Sequence, residues 1–137
     1  DVTQREQIAA VVAATRSEYG AIDVLHNNVG LPAMGTVETI TEEAWDLAMD
    51  VNLKSVLLCC QAVIPTMLEQ GRGAVYNFEG LGSDGRVRAG LVPYGTTKAA
   101  VHYFTRALAR ELAGTPLVVG SIQPGMVITD SSTAMET

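Results

Sequence analysis

The chain has 137 residues, 47% of them hydrophobic, which is one domain's worth of sequence with enough apolar side chains for a packed core. Its net charge of −6 and pI near 4.7 argue against nucleic acid or an anionic membrane as a partner. No uninterrupted apolar run reaches about 18 residues, so we expect no membrane span. His26 and His102 are far apart in sequence, and no metal-ligand cluster is predicted.

The first half of the chain predicts a helix, a strand and a second helix. "TQREQIAAVVAATRSEYG" has apolar residues at helical spacing, with Thr3 and Glu6 as a candidate capping box and Gly20 as the stop. "AIDVLHNN" predicts a short strand. "TEEAWDLAMDVNLKSVLLCCQAVIPTMLEQG" predicts one long helical stretch from near Thr41 to Gly71.

The second half repeats this alternation. "GAVYNF" predicts a buried strand, "EGLGSDGRVRAGLVP" a glycine-rich loop, the segment from Pro93 a long helix, and "LVVGSIQP" a third strand. Each connection between strands is long enough for a parallel crossover. The sequence therefore predicts an α/β fold with three parallel strands and flanking helices.

The adjacent cysteines, Cys59 and Cys60, fall within the second predicted helix. A vicinal pair on a helix cannot reach disulfide geometry without distortion, and "CC" lacks the spacing of a metal or redox motif. We interpret both as small hydrophobic residues in a reducing compartment, which favours the cytoplasm.

Tyr94 and Lys98 stand four residues apart in "YGTTK", at the front of the last predicted helix. About one helical turn separates them, so phenol and ammonium share a face. An ammonium about 4 Å from the phenol, at an effective dielectric of about 20, stabilises the phenolate by about 4 kcal/mol. That lowers the tyrosine pKa by roughly 3 before desolvation is subtracted. The pair predicts an acid/base tyrosine, with an ordinary exposed pair as the alternative.

Polar residues gather where the predicted strands end, the edge at which parallel sheets bind ligands. Asn27 ends the first strand, although a double asparagine also fits a plain turn. Asn52 lies mid-helix, where its poor propensity calls for either a functional role or a buried hydrogen bond. Ser83 lies in the loop after the second strand. Pro124-Gly125 ends the third, where the dipeptide also fits a chain reversal.

In this order and spacing, "NNVG", "VNLKSVL", "YGTTK" and "IQPGMVITD" resemble the short-chain dehydrogenase/reductase family over essentially the whole chain. The resemblance implies a Rossmann-type, doubly wound parallel sheet, with residues 1–137 as the C-terminal portion of one domain. It implies hydride transfer between NAD or NADP and a small-molecule carbonyl or alcohol. It makes Tyr94 the catalytic acid/base. Lys98 would contact the nicotinamide ribose and lower the tyrosine pKa, and Asn52 would support a proton-relay water.

The resemblance also implies cofactor contacts at the chain start and around the strand ends. These residues are Asp1, Val2, Asn27, Val29, Gly30, Tyr94, Lys98, Pro124, Gly125, Val127, Ile128 and Thr129. Asp1 and Val2 would contact adenine. The last three would contact the nicotinamide carboxamide and the phosphates.

A loop serine orients the substrate oxygen in this family, and this sequence departs from the usual frame. Counted three residues from Asn77, the frame reaches Gly80, which has no hydroxyl. Ser83 in "EGLGSDGR" is therefore the candidate, and the alternative is a loop that lacks the serine and is impaired. The same loop resembles the chlorophyll b reductase branch of the family, which adds the chloroplast as an alternative location.

The family's phosphate cradle, TGxxxGxG between the first strand and its helix, does not occur in the sequence. The residue that would select NAD or NADP belongs to that same part. We therefore expect a segment of a longer reductase that by itself binds NAD(P) weakly or not at all and is inactive. The alternative is a truncated, non-catalytic remnant that acts through helix association. The resemblance implies dimers or tetramers formed through the predicted helices 41–70 and 93–113.

Overall fold

The computed structural model describes residues 1–125 as helices packed on a three-stranded sheet. In chain order the elements are α1 (Arg5–Tyr19), β1 (Val24–Asn27), α2 (Glu42–Met49), a π-helical segment (Asp50–Lys54), α3 (Ser55–Gln70), β2 (Gly73–Phe78), α4 (Val92–Glu111) and β3 (Leu117–Ile122). Val127, Ile128 and Thr129, predicted to contact a cofactor, lie outside the described residues.

The sheet has the order β1-β2-β3, and both pairs of neighbouring strands are parallel. Asn27 is level with Asn77, and Phe78 is level with Ile122. The three carboxyl ends therefore meet at one edge, as the predicted helix–strand alternation requires. The predicted α/β class with three parallel strands is confirmed.

Most predicted helix boundaries are confirmed, because they depend on local backbone chemistry. Gly20 and Gly71 end α1 and α3 in the left-handed conformation, with φ of +76° and +70°. Thr41 caps α2, its Oγ1 accepting from the backbone N–H of Ala44 at 3.2 Å. The helix expected to start at Pro93 runs from Val92 to Glu111.

The predicted capping box at the start of α1 is wrong. The N-cap residue is Gln4, and its side chain makes no capping hydrogen bond. Thr3 Oγ1 instead donates to Asp1 Oδ1 at 2.8 Å. Because the Thr3 hydroxyl bonds to the Asp1 carboxylate, it does not cap the first turn of α1.

The long helical stretch is continuous in extent but not in geometry. Between α2 and α3, Asp50–Lys54 forms a π-helical turn, which wraps one more residue into each hydrogen-bonded ring than an α-helix does. Asn52 lies at its centre and is 1% exposed. Such turns change which way side chains project, and they recur at functional sites.

The hydrophobic core lies between the sheet and α3 and α4. Its buried members are Ile22, Val56, Cys60, Val63, Met67, Val75 and Val101. Leu25 and Val119, from the two outer strands, pack against this cluster. Val24 and Val118, one position away on the same strands, point the opposite way and are more than half exposed. One face of the sheet is therefore filled by the helices.

One stretch, Glu42–Gln70, is long and apolar enough to cross a bilayer by length and composition. Its best 18-residue window has a mean hydropathy of 1.5, and 39% of that window is buried. The core helix of a folded domain passes the same test, and Val56 and Val63 of this stretch belong to the core. The absence of a membrane span stays a prediction.

Candidate active site

Two asparagines join the strand ends to α4. Asn27 Nδ2 donates to Asn77 Oδ1 at 2.9 Å, and Asn77 Nδ2 donates to Thr105 Oγ1 at 2.9 Å. The Thr105 hydroxyl in turn donates to Val101 O at 2.7 Å. Asn77 is completely buried, so this chain of amides fixes the carboxyl edge of β1 and β2 against the helix. Asn27 therefore has a structural role beside any role toward a cofactor.

Asn52 holds the loop after β1. Its Oδ1 accepts from Leu31 N at 2.8 Å, and its Nδ2 donates to Leu31 O at 3.0 Å and to Thr97 Oγ1 at 3.2 Å. Asn52 lies at the centre of the π-helical turn, and its side chain reaches the loop after β1 through both hydrogen bonds to Leu31. Asn52 thus bridges the loop and α4, and the expected poor fit of asparagine in a regular helix has a structural cause.

Tyr94 and Lys98 lie on one face of α4, as predicted, but no hydrogen bond joins the phenol oxygen to the ammonium. Lys98 Nζ lies 5.8 Å from the centroid of the Tyr94 ring. It donates to Phe78 O, the last carbonyl of β2, at 3.0 Å. Lys98 is only 6% exposed, so the ammonium is held between the helix and the end of the central strand.

Burial dominates the titration of both groups. It raises the pKa of Tyr94 and lowers the pKa of Lys98, and the carboxylate of Glu79 opposes the shift at Lys98. The lowering of the tyrosine pKa by Lys98, expected from the sequence, is therefore wrong for this arrangement. Burial of the phenol outweighs the ammonium, whose hydrogen bond goes to Phe78 O.

Gly80 occupies the frame where the family has its serine. A Cβ atom there would lie 2.5 Å from Tyr94 Oη and 3.3 Å from Lys98 Cγ. Ser83 is buried, and its hydroxyl donates to Gly80 O at 2.7 Å. The candidate serine therefore stabilises the turn of its own loop, and in this arrangement its proton is not directed at a substrate.

Sequence reasoning missed Glu79, the residue that directly follows β2. Its side chain is 4% exposed, and its Oε1 lies 2.9 Å from His102 Nδ1. His102 comes one helical turn after Lys98 on α4. An acidic residue immediately after a buried apolar strand was the available signal, since strand ends carry the polar groups of this fold.

An open cavity of about 550 Å³ lies beside Tyr94 at the carboxyl edge of the sheet. Its lining consists of Glu79, Gly80, Leu81, Asp84, Arg86, Arg88, Tyr94, Gln123, Pro124 and Gly125. The structure thus brings the predicted Pro124 and Gly125 next to Tyr94. The two arginines from the glycine-rich loop were not predicted.

The residues around Lys98 fit a sugar-bearing cofactor. Gly30 is a position of close approach, because a Cβ atom there would lie 3.3 Å from Asn52 Oδ1 and 3.5 Å from Lys98 Nζ. A side chain at residue 30 would fill the space in front of the ammonium. An ammonium has three donors, and the described residues engage one of them, through Phe78 O.

Three further residues predicted to contact the cofactor are Val29, Asp1 and Val2. Val29 is 54% exposed beside Gly30. Asp1 and Val2 precede α1, and the Asp1 carboxylate accepts from the backbone N–H and the hydroxyl of Thr3. Within residues 1–125, no group of three or more His, Cys, Asp or Glu side chains could hold a metal ion.

Two oxidoreductases of staphylococci are similar to this chain in sequence. An uncharacterised oxidoreductase of Staphylococcus saprophyticus is 39% identical over 132 residues, which are 96% of this chain and 56% of that protein. One from Staphylococcus aureus is 37% identical over 129 residues, which are 94% of this chain and 55% of that protein. The chain spans about half the length of these relatives.

Solved structures of short-chain dehydrogenases and reductases are similar to this chain in fold. A short-chain dehydrogenase from Streptomyces avermitilis superposes with a TM-score of 0.88 at 33% identity, covering 95% of this chain and 48% of that one. Actinorhodin polyketide ketoreductase with NADPH superposes with a TM-score of 0.94 at 34% identity, covering 99% and 52%. The predicted partial Rossmann-type fold is confirmed. The family model described as short chain dehydrogenase matches residues 1–137, and the chain therefore belongs to that family.

Proposed function

We propose that the protein carrying this chain is an NAD(P)-dependent oxidoreductase that interconverts a carbonyl and an alcohol by hydride transfer. The observation that carries the proposal is the meeting of Lys98 and Asn52 at Gly30, with Tyr94 one helical turn before Lys98 and lining a cavity at the carboxyl edge of the sheet. Membership of the short-chain dehydrogenase family supports it. A relative with NADPH bound supports this class of cofactor, and the choice between NAD and NADP stays open.

A bound nicotinamide supplies or accepts the hydride. Tyr94 donates the proton that the substrate oxygen takes up during carbonyl reduction, so two electrons and one proton arrive as hydride and a second proton comes from the phenol. Burial raises the pKa of Tyr94, which keeps the phenol protonated near neutral pH.

The neighbouring residues position rather than react. Lys98 is the group that would hold the ribose, since its ammonium has donors to spare in the space left by Gly30. Asn52 ties the loop in front of that space to α4 through Leu31 and Thr97. With Gly80 in the serine frame, Tyr94 is the hydroxyl we assign to the substrate oxygen.

The test is carbonyl reduction by the purified protein as its gene encodes it, followed by NADH or NADPH absorbance over a panel of ketones and aldehydes. Tyr94→Phe should lower kcat/KM by about 10²–10⁴ because the proton donor is lost. Tyr103→Phe is the matched control, since Tyr103 lies on the same helix and is 76% exposed. Full activity in Tyr94→Phe would show that Tyr94 is not the acid.

Residues 1–137 alone should bind NAD(P) weakly or not at all, because the sequence contains no glycine-rich phosphate turn. Titration calorimetry with NADH and NADPH measures this directly. A micromolar dissociation constant would show that the turn is dispensable. A functional full-length protein that has only the length of this chain would instead favour the non-catalytic remnant.

Association through the long helices is part of the proposal. α2, α3 and α4 expose large apolar side chains, and the most exposed of them include Leu47, Leu57, Leu68 and Tyr103. Light scattering after size exclusion should report a dimer or tetramer, and a monomer at micromolar concentration would contradict this. A cytoplasmic location completes the proposal, and the bacterial relatives give the chloroplast alternative no support.

A further inference from the structure

The cavity beside Tyr94 carries two cations that the proposed reaction leaves without a role. Arg86 and Arg88, from the loop between β2 and α4, line this cavity together with Tyr94. They are two of the nine Lys and Arg residues in a chain whose net charge is −6. Because an acidic chain as a whole repels anions, a pair of guanidiniums beside the reacting group is the feature through which this site would attract one.

Asp84 fixes the position of Arg86. Its Oδ1 accepts from the backbone N–H of Arg86 at 3.0 Å, and its Oδ2 lies 2.7 Å from Arg86 Nε. The two terminal nitrogens of this guanidinium carry four of its five N–H donors, and they make no hydrogen bond within residues 1–125. An arginine held at Nε therefore keeps the fork of its terminal nitrogens for an oxyanion.

Arg88 adds a positive charge that no carboxylate of residues 1–125 neutralises, since the ion pairs in this part of the chain do not include it. The two carboxylates of the cavity lining have other partners. Asp84 is paired with Arg86, and Glu79 Oε1 lies 2.9 Å from His102 Nδ1. Asp84, Arg86 and Arg88 carry one negative and two positive charges, so this part of the loop is cationic.

The charges of the cavity are separated by depth. The Glu79 side chain is only 4% exposed, and the next residue, Gly80, lies against the phenol of Tyr94. The Arg86 side chain is 82% exposed, and Arg88 is also exposed. A carboxylate thus lies on the side of the reacting group, and the guanidiniums lie at the rim. This polarity would orient an anionic carbonyl compound with its charge at the rim and its carbonyl inward.

We propose that the substrate carries an oxyanion, a carboxylate or a phosphate, which Arg86 and Arg88 bind while the carbonyl reaches Tyr94. The inference rests on the proposed function, because it names the substrate class of the same site. The two arginines contact the substrate away from the reacting atoms. They determine specificity and take no part in the transfer of hydride or proton.

The test compares matched substrates with the full-length protein. Straight-chain oxo acids of increasing length are each paired with their methyl ester, which keeps the carbonyl and removes the charge. The wild type should prefer the acid by about tenfold or more in kcat/KM. The preference should peak at one chain length, because the carboxylate must reach the arginines while the carbonyl reaches Tyr94. Dihydroxyacetone phosphate against dihydroxyacetone is the matched pair for a phosphate, and a preference in one series alone identifies the oxyanion.

Substitution of the arginines gives the second arm. Arg88→Gln should remove most of the preference, mainly by raising KM for the charged substrate. Arg86→Gln should do the same, since it also leaves the Asp84 carboxylate unpaired at the rim. Arg88→Lys keeps the charge but not the fork and should retain part of the preference. Arg72→Gln is the matched control, because Arg72 forms an exposed ion pair with Asp23 at 2.8 Å before the amino end of β2.

A binding measurement reports on the arginines without turnover. The Nε–Hε signals of Arg86 and Arg88, assigned in ¹⁵N-labelled full-length protein with the two Arg→Lys variants, should shift saturably with the preferred charged compound. They should not shift with its uncharged partner, and the Arg72 signal should stay in place with both. Salt should weaken these shifts, because exposed charges are screened.

Equal kcat/KM for the charged and uncharged members of every pair would overturn the inference. So would a preference that persists in both Arg86→Gln and Arg88→Gln. A wild type that reduces no carbonyl, yet shows saturable shifts with a charged compound only, would contradict the proposed function and leave the oxyanion site supported. Absence of both turnover and shifts would contradict the two together.

Discussion

Gly80 lies directly against the hydroxyl of Tyr94: a Cβ atom on residue 80 would come within 2.5 Å of Tyr94 Oη. The backbone conformation of Gly80 does not require glycine, since its φ is outside the left-handed region. The restriction is one of space alone. The phenol of Tyr94 therefore occupies space that a side chain at residue 80, the position of the family's serine, would fill.

A methyl group at residue 80 should displace the phenol and reduce turnover. Misplacement of a reacting group by about 1 Å costs up to about 10²-fold in rate, so Gly80→Ala should lower kcat by up to that factor. Gly120→Ala is the control, because its added Cβ would meet Tyr76 at an ordinary 3.5 Å. Equal kcat values for the two variants would mean that Tyr94 has room to move without consequence.

The glycine-rich loop rests on α4 through a second close approach, between Gly82 and Gly95. A Cβ on Gly82 would lie 2.8 Å from Gly95 Cα, and Gly82 has a φ of +107°. Gly82→Ala should lower the free energy of unfolding by about 2–4 kcal/mol through strain and overpacking together. Gly85→Ala should cost only about 1–2 kcal/mol, since its φ is +80° but no atom lies within 4 Å. Urea denaturation measures both, and equal losses would rule out the backbone contact.

The amide chain at the strand ends should contribute strongly to stability. Asn77→Ala leaves the amide of Asn27 and the hydroxyl of Thr105 without their buried partner, so we expect a loss of about 2–4 kcal/mol. Asn28→Ala, at an exposed neighbouring position, should stay within about 0.5 kcal/mol of the wild type. A double-mutant cycle of Asn27 and Asn77 with no coupling would contradict this view.

Cys60 should make the protein less stable in alkali. Burial raises its pKa from 9.0 to about 12, so the unfolded state releases the thiol proton first as pH rises. The stabilisation is fully present below pH 9.0 and is lost toward pH 12, at about 1.4 kcal/mol per pH unit.

Thermal denaturation from pH 8 to pH 10.5 should therefore show a shallower decline of Tm in Cys60→Ala than in the wild type. Slopes are compared rather than levels, because the variant also loses packing. Tyr94 and Lys98 titrate in both proteins and cancel in the difference. Cys59→Ala should change the slope less, since Cys59 is less buried. Parallel slopes for wild type and Cys60→Ala would show that the Cys60 thiol does not cause the loss of stability in alkali.

The sequence alone determined the elements whose cause is local. Gly20 and Gly71 end helices because glycine enters the left-handed region without a Cβ penalty. The spacing of Tyr94 and Lys98 put them on one helical face, and the position of Asn27 put it at a strand end. Four short motifs were enough to identify the family.

Only the tertiary structure decided which polar groups meet. The sequence predicted that the ammonium of Lys98 would face the phenol of Tyr94, but the end of β2, 20 residues away in sequence, offers a closer acceptor in Phe78 O. Ser83 had the right residue type and lies in the right loop, yet its hydroxyl donates a hydrogen bond to Gly80 O, three residues back. Glu79 and His102, 23 residues apart, became partners through the packing of α4 on the sheet. Hydrogen bonds between distant segments depend on sub-ångström packing, which residue spacing does not encode.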